Sequence, residues 1–283
     1  MNWNQDTKIV IVGLGLIGGS YARALKKKGH HVCAIDKDQA SLDYALNAGI
    51  IDAGSVDTSL LPEADVIILA LYPTLVVDWV RAHRGEFRKG VIITDVTGIK
   101  SAIVDQVQSL LPDDAEFIAA HPMAGREVSG VQNSDDRVFI NANYIVVPTE
   151  KNSAEAIAWC RELGRELGFA RTSELSPKEH DRMIAYVSQL THCIAVALMT
   201  CEDNENVRDY TGDSFRDLTR IANINEDMWT ELFFMNREAL LERLDGFIEE
   251  IQTIREMIRT EDAEGLKEKM RLSTKRRAMF DRD

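Results

Sequence analysis

Residues Ile9–Ser20 read IVIVGLGLIGGS, and Gly13, Gly15 and Gly18 fall as GxGxxG. An apolar run, Lys8–Val12, precedes the glycines, and a helical pattern, Leu16–Lys28, follows and is closed by Gly29. Strand, glycine turn and helix in that order form a cradle for a pyrophosphate. The first glycine permits the tight turn, the second lets a phosphate approach the backbone, and the third lets helix pack on strand. Leu16 and Ile17 open the helix, where N–H groups lack intrahelical partners and face an anion. A second strand, Val32–Ile35, leads into Asp36, eighteen residues beyond Gly18 and near the ~20 expected for the acid that holds a ribose. The stretch predicts a dinucleotide site of Gly13, Gly15, Leu16, Ile17, Gly18 and Asp36. A carboxylate at position 36 accepts from both ribose hydroxyls of NAD and repels the 2′-phosphate of NADP. Lys37 softens that repulsion, and NAD is the expected cofactor.

Outward from this unit the alternation continues to about residue 175. Asp38–Asn47 reads as a second helix, with Val66–Leu71, Val91–Thr94, Phe117–Ala120 and Tyr144–Val147 as further strands. Short β-branched runs separated by helices predict a parallel sheet covered on both faces. After Ser176-Pro177 the strand signal stops and helical periodicity takes over. The expected architecture is α/β: a Rossmann-type parallel-sheet domain over 1–175, then an all-helical domain over 176–283. In the second part Leu240, Leu244, Phe247, Ile251, Ile254 and Ile258 recur at steps of 4, 3, 4, 3 and 4. That heptad-like stripe fits either a helix packed inside its own domain or one that also packs across a dimer.

The bulk composition narrows the partners. With 33 basic and 46 acidic residues among 283, the formal net charge is −13. This argues against nucleic acid or an anionic membrane surface as the main partner. An apolar run such as Val66–Leu71 is too short to span a bilayer. Cys33, Cys160, Cys193 and Cys201 have neither CxxC pairing nor metal-ligand spacing, so no metal is expected. The N-terminus, MNWNQDTK, lacks an apolar signal-peptide core, and a cytoplasmic location is expected.

Three clusters carry chemistry. Thr94–Lys100, TDVTGIK, follows the fourth strand. His121–Gly130, HPMAGREVSG, places a histidine where a strand is expected to end, among glycines and charges that suit a ligand site better than a core. The third is helical: His180-Asp181, His192, then DSFRDLTRIA (Asp213–Ala222) and Trp229. Asp181 and His192 are eleven residues apart, about three helical turns, which puts them on one helix face. Arginine suits bidentate binding of carboxylates, and Arg216 and Arg220 are i,i+4 neighbours.

GLGLIGGS, HPMAGxExxG, HDxxxAxxSxLxH and FRDxTRIAxxxxxMW, in that order, resemble the prephenate dehydrogenase family along nearly the whole chain. The resemblance implies oxidative decarboxylation of prephenate to 4-hydroxyphenylpyruvate with hydride transfer to NAD⁺, as in tyrosine biosynthesis, by a homodimer joined through its helical domain. It implies that His121 takes the proton of the ring hydroxyl, that Arg220 binds a substrate carboxylate and that His192 contacts the substrate side chain. Asp181 and Trp229 then shape the pocket, with Arg216 in support. Relatives often carry a serine, in DxGSxK, where this chain has Gly98, so Thr97 is expected to supply the hydroxyl near His121. Arogenate dehydrogenase, with an amino acid in place of the keto acid, is the nearest alternative, and Asp213 could favour its ammonium. A β-hydroxyacid dehydrogenase needs a lysine in the helical part, and none occurs between Lys178 and Lys267. A catalytically idle NAD-sensing protein would keep the glycines but need neither His121 nor the arginine.

Replacing Asp36 with Ser tests the cofactor assignment. Turnover with NAD should fall relative to NADP, and an unchanged ratio would remove Asp36 from cofactor choice.

Overall fold

The computed structural model describes residues 6–204 and 206–280. Its contacts gather into two compact units, 1–236 and 237–283. The first helices after the sheet lie in the unit that holds it.

The first unit is built on nine strands and nine helices among the described residues. They are β1 (Lys8–Val12), α1 (Leu16–Lys27), β2 (His31–Ile35), α2 (Gln39–Asn47), β3 (Ala53–Ser55), β4 (Val66–Leu69), α3 (Pro73–His83), β5 (Ile92–Asp95), α4 (Val104–Leu110), β6 (Glu116–Phe117), β7 (Ala119–Met123), β8 (Asn143–Val147), α5 (Ala154–Glu166), β9 (Arg171–Glu174), α6 (Pro177–Ile184), α7 (Leu190–Thr200), α8 (Asp213–Thr219) and α9 (Glu226–Met235). Six strands pair in parallel in the order β3-β2-β1-β4-β5-β6. Along β1, Ile9 and Ile11 enter one core and Val10 and Val12 the other, as period-two alternation requires of a sheet buried on both faces.

The sheet departs from expectation at Ile118. Phe117–Ala120 is not one strand: β6 ends the parallel sheet and β7 opens a second, three-stranded sheet, β7-β8-β9. There β7 runs antiparallel to β8, and β8 parallel to β9. His121 therefore lies within β7, opposite Ile145, and not beyond a strand end. Pro122 fits because β7 is an edge strand, where a missing N–H breaks no ladder.

A buried ion pair bridges this break. Lys100 and Asp95 are both fully buried, 2.6 Å apart. The Lys100 ammonium spends its three donors on Asp95 Oδ2 (2.6 Å), the Ala120 carbonyl (2.6 Å) and Thr97 Oγ1 (3.2 Å). The other Asp95 oxygen accepts the Ala120 N–H at 3.2 Å. Both backbone groups of the residue before His121 are thus tied to one ion pair.

Ser176 starts α6 with a capping box to Glu179 and Pro177 in the first turn. A π-turn, Ala185–Gln189, joins α6 to α7. Within the resulting 24-residue helix, Pro177–Thr200, an 18-residue stretch has a mean hydropathy of 1.5, and the helix could cross a bilayer by length and composition, which short apolar runs did not reveal. Its His180, Asp181 and Gln189 are buried and hydrogen-bonded within the protein. Asn236 links Asp181 and Gln189 by donating to the carbonyl of the first (2.9 Å) and the side-chain oxygen of the second (2.7 Å).

The second unit pairs α10 (Arg237–Arg259) with α11 (Ala263–Arg277), which Asp262 caps through the Gly265 N–H. Along the apolar stripe of α10, Leu240 is buried, but Ile251 and Ile258 are 49% and 62% exposed.

Lys100→Met should lower unfolding stability by about 3–5 kcal/mol, because it strands the Asp95 carboxylate in the core. Chemical denaturation checks this, and a loss under about 1 kcal/mol would mean the ion pair holds little.

Candidate active site

The glycine loop has the shape that a dinucleotide needs. Gly13 adopts φ +96°, and a methyl group there would sit 2.5 Å from the Ala70 carbonyl oxygen. One on Gly18 would collide with the Gly13 carbonyl oxygen, whereas Gly15 faces open space. Helix α1 has no side-chain cap and no acid in its first turn, so the N–H groups at Leu16 and Ile17 stay available to an anion. Asp36 sits at the loop, accepting the Leu14 N–H at 2.6 Å through Oδ2 and the Asp38 N–H at 2.9 Å through Oδ1. These bonds fix the carboxylate and leave lone pairs for ribose hydroxyls. The Gly13 N–H also bonds to the Ile35 carbonyl at 2.8 Å, which brings the glycine turn beside the end of β2, where Asp36 follows.

Within β7, His121 is half-buried. Its Nδ1 lies 2.9 Å from His180 Nε2, and His180 Nδ1 lies 2.8 Å from Asp181 Oδ1. The same carboxylate accepts the N–H groups of Lys100 (2.9 Å) and Ser101 (2.8 Å). Burial, then the neighbouring His180 and the Lys100 ammonium, hold the His121 pKa well below its ordinary value. Burial also lowers His180, against the pull of Asp181. For Asp181, burial pushes upward but bonds from His180 and Ser101 outweigh it, and the carboxyl titrates below the usual range. His180, a neighbour of Asp181 in sequence, was not among the expected site residues.

A second constellation lies on the helices. His192 stacks on Trp229 with ring centroids 3.6 Å apart, and its Nδ1 donates to the Ser188 carbonyl at 2.9 Å. Arg220 pairs with Glu127 from the loop after β7. The charges of Glu127 and Arg220 both reach the His192 imidazole, whose pKa is lowered first by burial. The loop after β7 thus joins the Arg220–His192–Trp229 group. Glu127 was visible in HPMAGREVSG, but only the fold shows its partner.

Three expectations need correction. Thr97 does not offer its hydroxyl to His121: its single proton is shared between the Asp95 carboxylate and the Ile99 carbonyl. The residue beside His121 is Gly98, where a methyl group would lie 3.8 Å from Nε2 and 3.3 Å from Leu232 of α9. Second, Asp181 and His192 serve different neighbourhoods. The π-turn adds a residue to the helical phase and rotates the two apart by about 100°. Asp181 bonds to His180 and the N–H groups of residues 100 and 101, whereas His192 stacks on Trp229. Third, Arg216 is exposed on α8, donating to the Thr211 carbonyl at 2.9 Å and lying 3.9 Å from Asp213. Asp213 itself is 96% exposed, too open to select an ammonium. Among the described residues, no cluster of three or more His, Cys, Asp or Glu could hold a metal ion.

Comparison with known proteins gives a consistent picture. Residues 21–171 match the family model described as prephenate dehydrogenase, nucleotide-binding domain, and residues 176–272 the one described as prephenate dehydrogenase, dimerization domain. The chain is 37% identical to prephenate dehydrogenase of Bacillus subtilis over 94% of its own length and 74% of the relative's. With cyclohexadienyl dehydrogenase of Zymomonas mobilis it shares 30% identity over 97% and 96%. Among solved structures, prephenate dehydrogenase from A. aeolicus in complex with hydroxyphenyl propionate and NAD⁺ superposes with a TM-score of 0.89 at 26% identity, covering 97% of this chain and 98% of that one.

Proposed function

The chain belongs to the prephenate dehydrogenase family, and we infer that it oxidises and decarboxylates prephenate to 4-hydroxyphenylpyruvate, with His121 taking the hydroxyl proton. It is an NAD-linked oxidoreductase. The single observation that carries the role of His121 is its environment: a recessed imidazole kept neutral, on an edge strand fixed by a buried ion pair.

NAD⁺, which the glycine loop and Asp36 would hold, would supply the acceptor for the hydride of ring C4. As that hydride leaves, the C4 hydroxyl must lose its proton, and a neutral imidazole can take it. Loss of the ring carboxylate as CO₂ then leaves the bond electrons to complete an aromatic ring, and His121 returns the proton to the phenolic oxygen. No net proton is released. Aromatisation drives the step, so positioning is the protein's main contribution. Arg220 supplies a planar cation for one substrate carboxylate, competing with Glu127 for it. His192 and Trp229 form a stacked wall beside that cation.

A homodimer is proposed from two features, the exposed Ile251 and Ile258 of the α10 stripe and the match to the dimerization domain. The four cysteines are free, which suits a reducing compartment such as the cytoplasm.

His121→Asn should cut kcat for NADH formation from prephenate by roughly 10²–10⁴-fold while prephenate still binds. An unchanged kcat would take His121 out of the mechanism. Because its pKa is depressed, His121 stays unprotonated as pH falls through the ordinary histidine value of 6.5. The acid limb of kcat/KM should therefore lie below that value, and a limb at or above it would contradict a neutral, buried base.

Arg220→Ala should act mainly on KM for prephenate, raising it by roughly 10–100-fold for one lost charge-assisted contact. Steady-state kinetics with prephenate varied would show this, and an unmoved KM would make Arg220 structural.

A further inference from the structure

The hydrogen bonds around His121 determine where its proton sits. Asp181 accepts from the Lys100 and Ser101 N–H groups and is buried as a carboxylate, so it can only accept from His180. His180 Nδ1 must then carry a hydrogen and donate it to Asp181 Oδ1 at 2.8 Å. A neutral His180 has no hydrogen left for Nε2, which becomes an acceptor. Its neighbour at 2.9 Å is His121 Nδ1, which must be the donor. That leaves His121 Nε2 with its lone pair bare, on the side where Gly98 leaves room.

We propose that His180 is a positioning residue, which, held by Asp181, locks His121 in the Nδ1–H tautomer and so presents Nε2 as the base. The proposal rests on the reading of His121 as proton acceptor and adds the group that prepares it. An isolated imidazole exchanges between tautomers and turns about its side-chain bonds, and either motion hides the lone pair from the substrate. Here the orienting series runs Asp181, His180, His121, and its far end is tied to the backbone of residues 100 and 101. His180 is fully buried and has no route to the substrate, so its contribution passes through His121. With glycine at position 98, no side chain at that position can orient the ring from the Nε2 side, and the constraint falls on Nδ1.

The test uses the full chain labelled with ¹⁵N-histidine, whose long-range proton–nitrogen correlations report the tautomer of each ring. His121 is assigned by its loss in His121→Asn. In the wild type, Nδ1 of His121 should be protonated and Nε2 bare. His180→Leu should scramble that tautomer and lower kcat by about 10²-fold, with KM for prephenate within about threefold. In His180→Gln the amide oxygen stands near the lost Nε2 and should restore both the tautomer and most of kcat. A wild-type His121 protonated at Nε2 overturns the proposal. So does a His180→Leu enzyme with an unchanged tautomer and kcat within about threefold of the wild type. The wild-type spectrum decides the matter even if His180→Leu fails to fold. Failure of the base assignment itself reads differently: His121→Asn would keep its kcat whatever the tautomer.

Discussion

The buried Asp95–Lys100 ion pair is the constraint on which the rest of the site depends. A parallel sheet cannot deliver a histidine to its own carboxyl edge and also turn the chain into an antiparallel pairing without a break. The break falls at Ile118, and the ion pair spans it by holding both backbone groups of Ala120. Two opposite charges without water are costly unless every donor and acceptor is met. Here the ammonium has three acceptors, and the carboxylate gains the N–H groups of Thr97 and Ala120. The expense of burial is offset by geometry, and that geometry is what β7 inherits.

The same pair shapes the electrostatics. A cation close to His121 discourages a second positive charge there, and burial acts in the same direction. A base that stays neutral at working pH is the result. Asp181 provides the counterweight, since its carboxylate favours positive charge on the histidine pair when the proton arrives. Lys100 takes part on both sides, its ammonium bound to Asp95 and its backbone N–H to Asp181. One residue therefore bears both on how His121 is held and on how Asp181 is placed.

The dinucleotide half was legible because its signals are local. Gly13, Gly15, Gly18 and Asp36 declare themselves by spacing, and the structure sets them around one loop. His121 stood out through its neighbours, but Pro122 suggested that the strand ended where it continues; edge pairing with Tyr144 is a tertiary fact. Thr97 was misassigned because adjacency in sequence does not show which way a hydroxyl points, and Asp95 is the stronger acceptor. The shared face of Asp181 and His192 failed on a π-turn, which leaves no mark in an apolar periodicity. His180 and Glu127 were in plain view as letters, but their partners lie 59 and 93 residues away. The short polar strand β9, RTSE, carries no apolar pattern and forms through pairing with β8.

Those long separations have a kinetic consequence. The glycine loop, β1, α1 and β2 form one contiguous βαβ unit, so closing it costs little chain entropy. The contacts that prepare His121 join residues 100 and 101 to residue 181, and residue 181 to residue 236, across spans of 81, 80 and 55 residues. They close only when α6 docks. The contacts of the glycine loop therefore cost less chain entropy to close than those that hold His121.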